Sequence, residues 1–143
     1  CAVDATLVAD VTGTASLHPV KDCSLPLAAP SEMRDRDLGH ASELEESAAT
    51  TENAKERLRR LQAACELREL WMHRQHLDVM AAHNRAHAAA QDAEDFKAAE
   101  HHCARLVEQY SAVYPDWHPI LGLQMWTLAE YQEEQRPDEA RMW

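Results

Sequence analysis

Pro115 and Pro119 constrain this chain more than any other pair of residues in it. They sit in Tyr110-Ser-Ala-Val-Tyr-Pro-Asp-Trp-His-Pro-Ile-Leu-Gly-Leu-Gln-Met-Trp-Thr-Leu-Ala-Glu130. A proline inside a helix removes a backbone donor and collides with the turn before it. At the first turn of a helix the missing N–H has no partner to lose. The segment therefore reads as the end of one helix, a stiff turn, and a new helix opening at Pro119 with Asp116 or His118 as its cap. A chain built this way stacks helices in pairs.

Hydrophobic periodicity extends that reading. Phe96, Ala99, Cys103, Leu106, Tyr110 and Val113 step by three and four residues and predict one face of a helix. Ile120, Leu123, Thr127 and Tyr131, with Trp126 beside them, predict a helix running to about Gln135. Leu77, Met80, Ala81, Asn84 and Ala88 mark another over 77–90, with a turn at Gln91–Asp95. Upstream, Ser42-Glu-Leu-Glu45 has the form of a capping box. Leu44, Ala48, Thr51, Leu58, Leu61 and Cys65 follow at helical spacing, with a break possible near Ala49–Thr51, where β-branched residues lower helix propensity.

Residues 1–41 carry Pro19, Pro26, Pro30, Gly13 and Gly39 and no aromatic residue. They read as an irregular linker, with a weak alternation over Ala2–Thr12 that would make a short strand lacking an obvious partner. The expected organisation is thus an irregular segment 1–41 and a helical domain 42–143 cut short at Met142-Trp143. The fold class is all-α, an antiparallel helix-pair array. Asp95-Phe96-Lys-Ala-Ala99 and Arg136-Pro-Asp-Glu-Ala140 punctuate it as in tetratricopeptide-type repeats, without a regular repeat.

Composition narrows the functions. The 143 residues carry a net charge of −11, which opposes the phosphate backbone of nucleic acids. The basic run Lys55–Arg60 reads as a solvated helix face rather than a phosphate site. No apolar run approaches the roughly 18 residues that cross a bilayer; the chain carries no basic-then-apolar leader and, beginning at Cys1 rather than Met, reads as a piece of a longer protein. The four cysteines, at 1, 23, 65 and 103, form no Cys-x-x-Cys pair. Reduced thiols in a cytoplasmic or nuclear setting are expected. Cys65 and Cys103 fall on apolar helical positions and read as small core residues. Cys1 and Cys23 lie in the irregular segment, as plain thiols or as parts of a zinc site whose other ligands lie upstream.

Nine histidines raise a metal question. His83 and His87 stand one helical turn apart, a spacing zinc uses, but Asn84 occupies the place of the glutamate base in a hydrolytic motif. A third ligand would come from His101, His102 or Cys103 across a hairpin; His73 and His76 form a weaker pair. Surface or interhelical histidines are the plainer reading, and no stoichiometric zinc is expected in the chain as it stands. The serines lack a Gly-x-Ser-x-Gly elbow. Glu43, Glu45 and Glu46 read as a solvated face, and Trp71, Trp117 and Trp126 as packing residues. On its own residues the chain is not an enzyme.

Tyr114-Pro115, His118-Pro119, Gly122, Gln124, Leu128 and Ala140 carry a family resemblance. The order Tyr-Pro-x-x-His-Pro-x-x-Gly-x-Gln, then a Leu-containing helix, a short turn and Glu-Ala, resembles the C-terminal helical region of the SET-and-MYND (SMYD-type) protein lysine methyltransferases across residues 70–143. The resemblance implies a parent that transfers methyl groups from S-adenosylmethionine to lysine, with zinc in its MYND and post-SET modules. The Asn-His-Ser-type cofactor motif and the catalytic tyrosine of that family do not occur here, so no catalytic or cofactor-binding residue carries over. Cys1 is placed as the last member of the post-SET Cys-x-Cys-x-x-Cys pattern, a metal ligand only together with upstream residues.

Under this resemblance the helices form a non-catalytic wall of the substrate cleft and a surface for protein or peptide partners, lysine-rich ones being compatible with the acidic charge. The alternative is a free-standing tetratricopeptide-like adaptor. About 250 residues of SET and MYND sequence ahead of Cys1 would favour the first reading; a nearby start codon would favour the second.

Overall fold

The computed structural model describes residues 8–9, 15–16 and 29–135. The chain divides into two compact units, Cys1–Asp35 and Arg36–Trp143. In the first, strand β1 (Val8–Ala9) pairs antiparallel with β2 (Ala15–Ser16), Val8 opposite Ser16 and Ala9 opposite Ala15. The strand expected without a partner over Ala2–Thr12 therefore has one, supplied a few residues downstream.

The helices are α1 (Ala29–Ala49), α2 (Ala54–Trp71), α3 (Leu77–Asp92), α4 (Phe96–Val113) and α5 (Pro119–Gln135). From α2 onward each packs on the next, so the helical residues form an all-α stack of helix pairs. Short connections between neighbours make them antiparallel.

The boundary expected at residue 41 is corrected: α1 begins at Ala29. Pro30, which marked a linker by composition, occupies the first turn, where proline is tolerated. Ser42 is no cap. It lies inside α1, and its hydroxyl donates to the Leu38 carbonyl at 3.1 Å. Ala41, Glu45 and Ala48 face inward one turn apart, and both alanines are completely buried.

The break near Ala49–Thr51 is real. The Asn53 side chain accepts from Glu56 N–H to cap α2. Two arginines from the basic run then serve carbonyls at the end of α1 and just beyond it. Arg57 donates to the Thr51 carbonyl at 3.1 and 2.8 Å. Arg60 donates to the Ser47 carbonyl at 3.2 Å and to Thr51 Oγ1 at 2.7 Å. Carbonyls at a helix C-terminus have no intrahelical partner, and guanidinium groups also suit the negative end of the helix dipole. Of the supposed solvated face, only part is solvated.

The α3–α4 turn closes with Asp95 N–H donating to the Ala90 carbonyl at 3.0 Å and Glu94 N–H to Gln91 at 3.1 Å. That is the Schellman pattern, which places the residue after the cap in the left-handed region. Glu94 sits there at φ 54° in place of the usual glycine or asparagine. A side chain in this conformation costs about 1 kcal/mol. Asp95 Oδ1 at once accepts from Ala98 N–H at 3.0 Å and starts α4.

Two faces differ from expectation. On α3 the inward residues are Val79, Met80, Ala82, His83, Ala86, His87, Ala89 and Ala90, while Leu77, Asn84 and Ala88 are exposed. The alanines cannot reveal a face by hydrophobicity alone, because alanine suits either environment. On α5 the inward residues are Leu121 and Tyr131, with Leu128 packed against the core, and Leu123 and Trp126 point outward. Trp117 is 82% exposed, so the packing expected of it and of Trp126 is overturned. The α4 face holds at Ala99, Cys103 and Leu106, whereas Phe96 and Val113 at its two ends lie open.

Candidate metal centre

Three helices converge on one buried point. Cys65 comes from α2, His83 from α3 and His102 from α4. One ligand atom of each lies within 4.8 Å of the other two. All three residues are at most 3% exposed. Antiparallel packing explains the meeting: Cys65 lies past the middle of α2, and His83 and His102 each lie in the second turn of their helices, so the hairpins bring them to one level.

The hydrogen bonds order the protons. His83 Nε2 lies 2.9 Å from Glu69 Oε1, one turn beyond Cys65 on α2. A carboxylate only accepts, so Nε2 carries the proton and His83 Nδ1 keeps its lone pair. His102 Nδ1 lies 3.0 Å from that lone pair and donates to it. His102 Nε2 is then left with a lone pair, buried and without a hydrogen-bond partner. This tautomer assignment follows from the network. The group lines a cleft of about 190 Å³, together with Gln62, Glu66 and His101.

Electrostatics match the burial. Desolvation, with the nearby Glu69 and Glu45 carboxylates, pushes the Cys65 thiol up to about 12. Desolvation, then neighbouring His83 and His101, pulls His102 down to about 4. Desolvation also lowers His87. Free of metal, Cys65 is therefore a protonated thiol near the neutral His102 imidazole, an unreactive arrangement for nucleophilic chemistry.

The sequence-level candidates separate accordingly. His83 and His87 share the inner face of α3 but have different partners: His87 Nε2 lies 3.1 Å from Tyr131 Oη, which also accepts from Gln91 at 2.8 Å. Of the three proposed third ligands, His102 reaches His83, His101 is exposed, and Cys103 faces α5, where Gln124 donates to its Sγ at 3.1 Å. His76 caps α3 by accepting from Asp78 N–H, and His73 Nδ1 accepts from Gln75 N–H. Trp71 donates to Asp37 at 2.9 Å across α1 and α2. Cys1, proposed as a metal ligand, and Cys23 lie outside the described residues.

Cys65 and Glu69 were missed as site members. Their one-turn spacing was visible, but an isolated Cys on an apolar position carries no signal until α2 is known to lie against α3 and α4.

Acid should destabilise the metal-free fold. The unfolded chain protonates His87 and His102 near 6.5, whereas the folded chain resists, to about 4 for His102. The stability these groups contribute is complete above about pH 6.5 and is lost as pH falls toward 4. For His102 the shift amounts to at most about 3 kcal/mol. Denaturant unfolding from pH 7.5 to 4.5 should show the decline, and H102F should flatten part of it. An unchanged profile in H102F would assign the decline elsewhere.

In comparison with known proteins, no family model matches the chain, and neither a curated protein nor a solved structure does. Among the described residues, no helix is long and apolar enough to cross a membrane.

Proposed function

We propose that this chain is the non-catalytic helical region of a SET-and-MYND-type protein lysine methyltransferase, forming one wall of its peptide cleft and a surface for protein partners. The observation that supports this reading is the use made of the resemblance residues. Tyr114 and His118 stack with ring centroids 4.3 Å apart across the proline turn. His118 Nδ1 accepts from Ile120 N–H at 3.3 Å, which makes it the cap left open between Asp116 and His118. Pro119 opens α5, Gln124 reaches Cys103 on α4, and Leu128 packs on the core. These residues build a helix hairpin. A motif used in this way suits a scaffold, and the resemblance supplies the scaffold's role.

On this reading S-adenosylmethionine and the module zincs are held by upstream sequence, and Cys1 is the one residue of this chain that would join upstream ligands at a post-SET zinc. The net charge of −11 favours lysine-rich peptides at low salt. A cytoplasmic or nuclear location goes with the same assignment. The test is the full-length gene product, assayed for methyl transfer from labelled S-adenosylmethionine to lysine-rich histone peptides. Transfer by the full-length protein and none by residues 1–143 alone is expected. An upstream reading frame lacking a SET domain would overturn the proposal in favour of a free-standing adaptor.

A further inference from the structure

We infer that Cys65, His83 and His102 form a zinc site internal to the helical stack, independent of any catalytic domain that accompanies it. The inference rests on the convergence of three buried side chains, one thiol and two imidazoles, each offering a ligand atom within 4.8 Å of the other two.

The geometry is close to what zinc requires. Two nitrogens bound tetrahedrally at about 2.05 Å stand about 3.3 Å apart. His83 Nδ1 and His102 Nδ1 are 3.0 Å apart, so the rings need open by only a few tenths of an ångström. A thiolate bound at about 2.3 Å would stand about 3.6 Å from each nitrogen. Cys65 Sγ lies within 4.8 Å of a ring nitrogen of each histidine, close enough for side-chain rotation to bring it in.

The proton balance closes as well. The His102 proton passes from Nδ1 to Nε2, where no partner is displaced, and Nδ1 becomes a ligand. Cys65 loses its proton to solvent as the zinc–sulfur bond forms. One proton is released per ion bound, and no redox change occurs. Glu69 keeps its bond to His83 Nε2 and acts as the outer carboxylate that orients a metal-binding histidine. The fourth position opens toward the cleft and takes water. The donor set of one thiolate and two imidazoles suits a borderline-soft ion, zinc or its spectroscopic substitute cobalt, over magnesium or calcium. Binding clips α2, α3 and α4 together at one point, and acts as folding free energy.

Titration of the chelator-treated chain with Co²⁺ tests this. One equivalent should produce a sulfur-to-cobalt charge-transfer band in the near ultraviolet and the visible bands of four-coordinate cobalt, and Zn²⁺ should abolish both. C65S should lose the charge-transfer band, H102Q should bind at least 100-fold more weakly, and E69Q should bind about 10–100-fold more weakly. A C1S/C23S double variant should behave as the parent chain.

Circular dichroism will show whether C65S and H102Q remain helical. If either does not, the unaltered chain still decides the matter, since zinc must release one proton per equivalent in weak buffer and raise the melting temperature. No charge-transfer band at one equivalent, a band that survives in a folded C65S, or one lost in C1S/C23S would overturn the assignment. So would the absence of both proton release and thermal shift.

Discussion

Replacing Glu45 with alanine is expected to destabilise the fold by about 3 kcal/mol and to loosen α1 from α2. Glu45 on α1 receives two bonds from the Arg68 guanidinium on α2, Nε at 2.9 Å and Nη2 at 2.8 Å. Arg85 on α3 approaches the same carboxylate at 3.0 Å. The side chains of Glu45 and Arg68 are only 13% and 10% exposed. A planar two-point pair of this kind is the strong form of the interaction, and it carries much of the polar contact between α1 and the stack.

Truncating Glu45 leaves a buried guanidinium without its partner, and that residual charge is the costly part. Asp78 lies 4.0 Å from Arg68 Nη1 and is half exposed, so it relieves some of the penalty. The expectation therefore lies at the low end of the range for such a break. Denaturant unfolding should show the loss, and hydrogen exchange should show faster opening of residues 36–49 than of α3. The double variant E45A/R68M should recover most of the stability, because it removes the orphaned charge as well. A loss below about 1 kcal/mol in E45A would place the pair among ordinary surface ion pairs.

This clip also shows why the sequence was legible only in part. Helices α4 and α5 were readable nearly to the residue, because two prolines and a cysteine-and-leucine stripe leave few alternatives. The start of α1 was not, since the same proline that breaks a helix in its interior opens one at its first turn. Glu45 read as one of a run of solvated acids, and only the packing of α1 on α2 reveals it as a buried partner of Arg68. The α3 stripe was misplaced because alanines dominate that helix and two of its inward positions hold histidine. The metal cluster was half visible: His83 was singled out and His102 stood among its possible partners. Cys65 and Glu69 could join them only through tertiary contact. Trp117, at the proline turn, and Trp126, on α5, read as packing residues but are exposed, and Ile120, Leu123 and Trp126 leave the outer face of α5 apolar.

The same alanine-rich packing makes Leu106 the most sensitive single apolar position. It is completely buried, and it heads the largest fully buried side chains, with His83, Val79 and Cys103. Ala41, Ala48, Ala64, Ala82, Ala86, Ala89, Ala90 and Ala99 supply much of the remaining core. Close approach of helix backbones through alanine gives dense contact but little apolar area per residue, so the few large side chains contribute disproportionately. L106A should cost about 3–4 kcal/mol, the lost transfer energy plus a cavity that rigid helix backbones cannot collapse. Against a total stability of about 5–15 kcal/mol for a domain, that is a large fraction, and the melting temperature should fall by roughly 15 °C or more. L123A provides the control. Leu123 is on the neighbouring helix and 69% exposed, so the same chemical change there should alter stability by no more than about 0.5 kcal/mol. Equal losses at the two positions would mean that the outer face of α5 is as buried in solution as the inner face of α4, and that α5 has a partner covering it.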